Sequence, residues 1–258
     1  MTRLAANLSL MFNEAPFMER FDRAARAGFK GVEYLFPYDF PAAAIGAQLA
    51  MHNLEQVLFD FPAGDWAKGE RGLGCLPDRV GEFQDGVGTA LEYAKTLGCS
   101  RLTVLAGVAP SGADREELSQ TLSDNLTFAG KAVEGTGITV LLEAINTIDI
   151  PGFFVTTTAQ SKALVAASGS PNVKVQYDIY HMQIMEGDLA RTIQANLGQI
   201  GHFQLADNPG RNEPGTGEIN YGFLLPYIDS LGYDGWVGCE YRPKGQTEAG
   251  LSWARKWL

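Results

Sequence analysis

Apolar and β-branched residues recur along the chain in eight short runs. They are "LAANLSLMF" (4–12), "GVEYLF" (31–36), "EQVLFDF" (55–61), "RLTVLAGV" (101–108), "ITVLLEAI" (138–145), "VKVQYDIYH" (173–181), "GHFQLAD" (201–207) and "GWVGCEYRP" (235–243). Runs this short, bounded by Gly, Pro, Asn and Asp, read as strands. Between them lie segments of helical length and spacing. "PFMERFDRAARAG" (16–28) opens with Pro at a first-turn position and closes with Gly, and "DREELSQTLSDNLTFAGKAVEGTG" (114–137) is long, periodic and Gly-terminated. Regular alternation of strand and helix predicts parallel pairing with right-handed crossovers. Eight units in a chain of 258 residues give roughly 32 residues each, the spacing of a (β/α)8 TIM barrel. A doubly wound open sheet is the alternative architecture. With no linker and no low-complexity tract, residues 1–258 read as one α/β domain.

Composition narrows the function. An apolar share of 45% with 19% charged residues suits a folded domain with a large core. No apolar run approaches the ~20 residues that span a bilayer. "MTRLAANLSLMF" at the start reads as a first strand rather than a signal peptide, so a cytoplasmic protein is expected. Cys75, Cys99 and Cys239 lack the short spacing of a zinc knuckle and point to reduced, buried thiols. The formal net charge of −10, without a Lys/Arg cluster, argues against nucleic acid and anionic membranes as partners.

Two features stand outside the repeat pattern. "PAGDWAKGERGLGCLPDRVG" (62–81) is a long Gly-rich loop and a candidate lid. "AGFKGVEYLFP" (27–37) and "LGYDGWVGCEYRP" (231–243) share an order of Gly, aromatic, Gly, apolar strand, Glu-Tyr and Pro. This echo suggests equivalent strand ends.

In a parallel barrel the strand C-termini open onto one face, where functional residues collect. The polar residues there are Glu143 in the fifth run, Asp178 and His181 in the sixth, Gln204 in the seventh and Glu240 in the eighth. Each sits in surroundings that are otherwise apolar, and a buried lone carboxylate costs several kcal/mol, so each must be paired, protonated or metal-bound. One reading pairs each acid with a basic residue at the barrel mouth. The other brings Glu143, Asp178, Gln204 and Glu240 together as an all-oxygen site for a hard divalent cation, Mg²⁺ or Mn²⁺. Few Lys or Arg lie within these runs, which favours the second.

His181 is a candidate for a hydrogen bond to substrate; strand alternation would turn it away from Asp178, but a strand end often turns into its loop there. Arg211, Lys244 and Arg71 are candidate partners of an anionic substrate. "GTGEINY" (215–221) lacks the Lys-Ser/Thr of a phosphate loop and instead positions Asn220 as a helix cap. Asp207 is accounted for by turn chemistry with Asn208 and Pro209. Neither a dinucleotide fingerprint nor a nucleophile elbow is present. Proton transfer is the chemistry these residues suit.

At these residues the chain resembles the xylose isomerase-like (β/α)8 barrels, and within them the hydroxypyruvate isomerase family with its 2-oxo-tetronate isomerases. The likeness runs nearly end to end, through "RLAANLSLMFNEAPFMERFDRAARAGFKGVEYLFPY", "GERGLGCLP", "LEYAKTLGC", "QYDIYHMQIMEGDL", "GEINY" and "GWVGCEYRPKG". The resemblance implies a divalent metal held by Glu143, Asp178, Gln204 and Glu240, with Glu143 and Glu240 as a proton donor–acceptor pair. Many sugar epimerases of the superfamily carry His where this chain has Gln204, which favours the isomerase branch. The implied activity is interconversion of hydroxypyruvate and tartronate semialdehyde. A 2-oxo-tetronate substrate is the alternative, and a sugar epimerase or dehydratase a remoter one. Relatives also imply a homo-oligomer, a dimer or larger, acting on a small anionic hydroxy-oxo acid.

Overall fold

Each of the eight runs becomes a strand: β1 (Arg3–Asn7), β2 (Gly31–Glu33), β3 (Glu55–Asp60), β4 (Arg101–Val104), β5 (Thr139–Glu143), β6 (Val173–Asp178), β7 (Ile200–Leu205) and β8 (Trp236–Cys239). In the computed structural model, which describes residues 2–258, every strand pairs parallel with its chain neighbour. β8 then closes onto β1, with Ala5 opposite Gly238. That last pairing makes a closed barrel and excludes the open sheet. The crossovers carry α1 (Phe17–Arg26), α2 (Ala42–His52), α3 (Val80–Leu97), α4 (Arg115–Ala132) and α5 (Thr158–Ala167). Two short helices, α6 (Ile179–Met185) and α7 (Leu189–Asn196), share the sixth crossover, and α8 (Tyr221–Ser230) fills the seventh.

The apolar runs overshoot the strands at their C-terminal ends, for identifiable reasons. In the first run the strand stops at Asn7, whose side chain accepts from Ser9 N–H and turns the chain. Leu8, Met11 and Phe12 stay fully buried as loop residues, so the hydrophobic signal there reported burial rather than strand. In the fourth run the chain beyond Val104 is crossed by the long loop. Gly72 bridges Ala106, and a Cβ on Gly72 would lie 2.4 Å from the Leu105 carbonyl oxygen. In the sixth run the strand ends at Asp178, which caps α6 by accepting from Tyr180 N–H at 2.8 Å. The helix expected over 114–137 stops at Ala132, because Gly135 and Gly137 take left-handed backbone (φ 74° and 79°). Asn220 caps α8 as expected, accepting from Phe223 N–H.

The barrel interior is layered. Ala5, Val57, Leu58, Leu141 and Trp236 form their own apolar cluster, and the Trp236 indole N–H on β8 donates across the barrel to Glu55 on β3. Toward the strand C-termini the filling turns polar. Asn7, Glu33, Asp60, Thr103, Glu143, Gln176, Asp178, His202, Gln204 and Glu240 are all buried. The three cysteines are free and buried, as expected. Among the described residues no helix is long and apolar enough to cross a membrane.

Candidate active site

The barrel register brings the four predicted polar residues to the same end. Asp178 sits opposite Gln204, and Gln204 opposite Gly238, two residues before Glu240. Glu143 ends β5 beside Gln176 of β6. Ligand atoms of Glu143, Asp178, Glu240 and His181 all lie within 4.8 Å of one another, and all four residues are buried. The reading in which each acid meets its own base fails here: one Arg serves several acids. Arg211 Nη2 donates to Glu240 Oε2 at 2.5 Å and lies 3.9 Å from Asp178 Oδ2, while Nη1 is 3.4 Å from Asp149. Glu143 Oε1 and Asp178 Oδ2 are buried without a hydrogen-bond partner among the described residues.

So many buried carboxyls in one place resist ionisation together. Burial first, then Glu240 and Asp178, hold the Glu143 carboxyl well above the ordinary carboxylate range. Burial lifts Glu240 to about 8, with Arg211 pulling the other way, and lifts Asp178 to about 6 against the same Arg. Burial works against the charge of Arg211, but Glu240, Asp178 and Glu143 more than restore it.

His181 lies on α6 rather than on a strand, and this reverses the expected geometry. One helical turn carries it to the same side as Asp178, with Nε2 3.5 Å from Asp178 Oδ2 and 3.8 Å from Glu143 Oε1. Its other nitrogen, Nδ1, is 2.6 Å from Asn146 Nδ2. The Asn146 side-chain oxygen already accepts from Ile148 and Asp149 N–H groups, so its NH₂ must face the ring. Nδ1 therefore accepts, and the neutral ring carries its proton on Nε2, aimed into the acid cluster. Burial, then Arg211, keep the ring neutral by pushing its pKa well below the usual imidazole value. In this tautomer Nε2 presents a donor to the cavity and not the lone pair that a metal ligand needs.

A cavity of about 590 Å³ opens above these residues, lined by Glu143, Glu240, His181 and Arg211 together with Asp60, Trp66 and Arg242. Trp66 comes from the long 62–81 loop, which thus forms part of the cavity wall. The loop is clasped by Arg79, which donates to Glu70 and to Glu82. Of the other predicted cations, Arg71 is stacked over Trp66 at 4.3 Å and Lys244 is exposed with its backbone N–H on Glu213; neither lines the cavity. Arg242 lines it instead.

Sequence reasoning passed over Glu33, Asp60 and His202. Glu33 and His202 are fully buried and joined at 2.8 Å. The internal echo held the signal for Glu33, since it aligns "GVEY" with the "GCEY" of Glu240. Asp207 also has a larger part than a turn. Its carboxylate accepts from the N–H groups of Gly215, Thr216, Gly217 and Ile219, and so shapes the "GTGEI" loop.

The model of the xylose isomerase-like TIM barrel family matches residues 21–257. Hydroxypyruvate isomerase of Escherichia coli (strain K12) is 49% identical over 253 residues, covering 98% of this chain and 98% of that protein. The chain belongs to the hydroxypyruvate isomerase family. Within the same family, 2-oxo-tetronate isomerase of Cupriavidus necator is 48% identical, over 100% of this chain and 99% of its own. A crystal structure described as AP endonuclease, family 2, from Brucella melitensis superposes with a TM-score of 0.98 at 49% identity, over 100% of this chain and 99% of that one. This family barrel is an isomerase of the aldose–ketose type.

Proposed function

We propose that this isomerase interconverts hydroxypyruvate and tartronate semialdehyde through an enediolate, with Glu143 and Glu240 moving the protons. The observation that carries the reading is two buried glutamates facing one cavity, with the Arg211 guanidinium bound to Glu240 in its wall. In the forward direction a proton leaves C3 and one is delivered to C2, while the C2 carbonyl becomes a hydroxyl and the C3 hydroxyl a carbonyl. One glutamate takes the proton and the other supplies one on the neighbouring carbon. Burial raises both carboxyls above the ordinary carboxylate range in the metal-free protein, so each can hold a proton there. The His181 Nε2–H donates to a substrate oxygen as charge builds there. Arg211, whose Nε has no partner among the described residues, receives the substrate carboxylate.

The donor set fits a hard divalent cation. Buried acceptor oxygens on Glu143 and Asp178 have no hydrogen-bond donor among the described residues, as ligand oxygens would. We assign Mg²⁺ or Mn²⁺ to Glu143, Asp178, Gln204 and Glu240. When bound, such an ion is a Lewis acid that stabilises negative charge on the substrate oxygens.

A four-carbon 2-oxo-tetronate is the second reading, and one observation favours it. Asp60 and Asp39 line the cavity from β3 and the β2 loop, across the barrel from Arg211 and Arg242. An acid bound by Arg211 would direct its hydroxylated end toward those acceptors. A panel of hydroxypyruvate, 2-oxo-tetronates and ketohexoses with metal-supplemented protein tests both readings. Proton NMR of the product in deuterated buffer separates 1,2-transfer from epimerisation and from loss of water. No turnover of either hydroxy-oxo acid would end the proposal.

Arg211 and Arg242 in the cavity wall support a small anionic substrate, and the net charge of −10 argues against nucleic acid. A cytoplasmic location and a homo-oligomer, a dimer or larger, complete the proposal. Light scattering on purified protein measures the latter.

A further inference from the structure

One of the four proposed ligands, Gln204, belongs to a chain of buried polar side chains whose other members the reaction does not use. Thr103 on β4 donates to Gln176 Oε1 at 2.6 Å, and Gln176 Nε2 donates to Gln204 Oε1 at 2.6 Å. Gln204 Nε2 then donates to Glu33 Oε1 at 2.8 Å. Glu33 also accepts from Asn7 Nδ2 at 3.1 Å and is held by His202 Nε2 at 2.8 Å. The same Asn7 amide lies 3.5 Å from Glu240 Oε1. The chain thus ties Gln204 and Glu240 to one carboxylate on the far side of the barrel.

An amide has two ends of equal shape and opposite chemistry, and only its partners decide which end points where. A carboxylate accepts and cannot donate, so Glu33 permits only the NH₂ end of Gln204 to face it. We propose that Glu33 is a positioning residue that fixes the orientation of the Gln204 amide and so presents its oxygen, rather than its nitrogen, to a divalent cation. This rests on the reading of Gln204 as a ligand. Gly238 is part of the device, because a Cβ there would lie 2.2 Å from Glu33 Oε1. His202 holds the other oxygen, Oε2, and Asn7 shares Oε1 with Gln204, so the carboxylate does not turn away.

The test is Mn²⁺ binding to metal-stripped protein, by calorimetry and by the electron paramagnetic resonance signal of the bound ion. Glu33→Gln keeps size and shape but removes the acceptor-only end of the chain, so that Gln204, Gln176 and the Thr103 hydroxyl can reverse their hydrogen bonds together. It is expected to weaken Mn²⁺ binding by about 10- to 100-fold, the usual scale for groups behind a ligand. The exchange variant E33Q/Q204E restores a donor–acceptor pair with reversed polarity and places oxygen at both ends of residue 204. It is expected to recover at least tenfold of the lost affinity, and because the added carboxylate by itself favours Mn²⁺, Gln204→Glu alone is the control that isolates the role of Glu33. Circular dichroism and thermal melts of the stripped proteins check folding, and if E33Q does not fold, the exchange variant and Gln204→Glu alone carry the comparison. Q204E should then bind Mn²⁺ less tightly than E33Q/Q204E, since two facing carboxylates repel. Wild-type affinity in folded E33Q, or no advantage of the exchange variant over Q204E, overturns the positioning role. Failure of the wild-type protein to bind Mn²⁺ overturns the metal reading itself, which is a different result.

Discussion

Asn146 Nδ2 meets His181 Nδ1 at 2.6 Å, and this one contact decides which nitrogen of the histidine faces the reacting centre with a proton. Asn146 is wholly buried, and its oxygen is committed to two backbone N–H groups, so the arrangement does not invert. Replacing Asn146 by Asp keeps the shape and the two backbone contacts but puts an acceptor against Nδ1. The proton then moves to Nδ1, and Nε2 loses its donor. A fall in kcat of about 10- to 100-fold is expected, with little change in melting temperature. Nitrogen NMR shifts of the His181 ring report the tautomer directly, and an unchanged Nε2–H would refute the assignment.

Glu143→Gln and Glu240→Gln should each remove turnover by about 10²- to 10⁴-fold while leaving the protein folded, since each deletes one proton-transfer group. The two variants separate on stability. Glu143 Oε1 has no hydrogen-bond partner among the described residues, so Glu143→Gln relieves a buried acid short of donors and should raise the melting temperature of metal-stripped protein. Glu240 makes the shortest ion pair of Arg211, so Glu240→Gln leaves that buried cation with only its longer contacts to Asp149 and Asp178 and should lower it. Activity and a melt on the same preparations check both halves.

Arg211→Lys retains the charge but loses the planar fork that spans Glu240 and Asp149. The expected effect is a rise of about tenfold or more in KM for the anionic substrate, with a smaller change in kcat. Steady-state kinetics with hydroxypyruvate show the split. An equal effect on kcat alone would move Arg211 from substrate binding to the proton-transfer step.

The pH dependence of the metal-stripped protein should run opposite to that of most acidic proteins. Glu240 titrates at about 8 and Asp178 at about 6 in the fold, both above their unfolded values. Between roughly pH 4 and 8 the folded state therefore holds more protons than the unfolded chain, and its stability falls as pH rises through that window. Below the unfolded values the penalty vanishes. A bound divalent cation displaces those protons, so added Mn²⁺ should flatten the decline and release protons on binding. Melting temperatures at pH 5.5, 7 and 8.5, with and without Mn²⁺, test this.

Much of the architecture was legible because a barrel repeats one physical pattern eight times. Strands buried on both faces appear as short apolar runs, and their spacing in the chain sets the helical crossovers. Glu143, Asp178, Gln204 and Glu240 were legible for a related reason: polar residues at the ends of apolar runs are costly unless they have work at the barrel mouth. His181 was found but misplaced, because the apolar run continued past the point where Asp178 capped a helix. Asp60 and Glu33 were missed, since a single acid in a strand looks the same whether it serves the site or its support.

The sequence by itself determined the order of elements, the face on which chemistry collects and the acids at its centre, because these follow from local periodicity and from the cost of burying charge. Only the tertiary structure decided which groups share a proton, a cation or a hydrogen bond. Asn146 and His181 are 35 positions apart, Arg211 and Glu240 are 29, and Glu33 and Gln204 are 171. Partnerships at such separations depend on barrel closure and strand stagger. No local pattern in the chain encodes them.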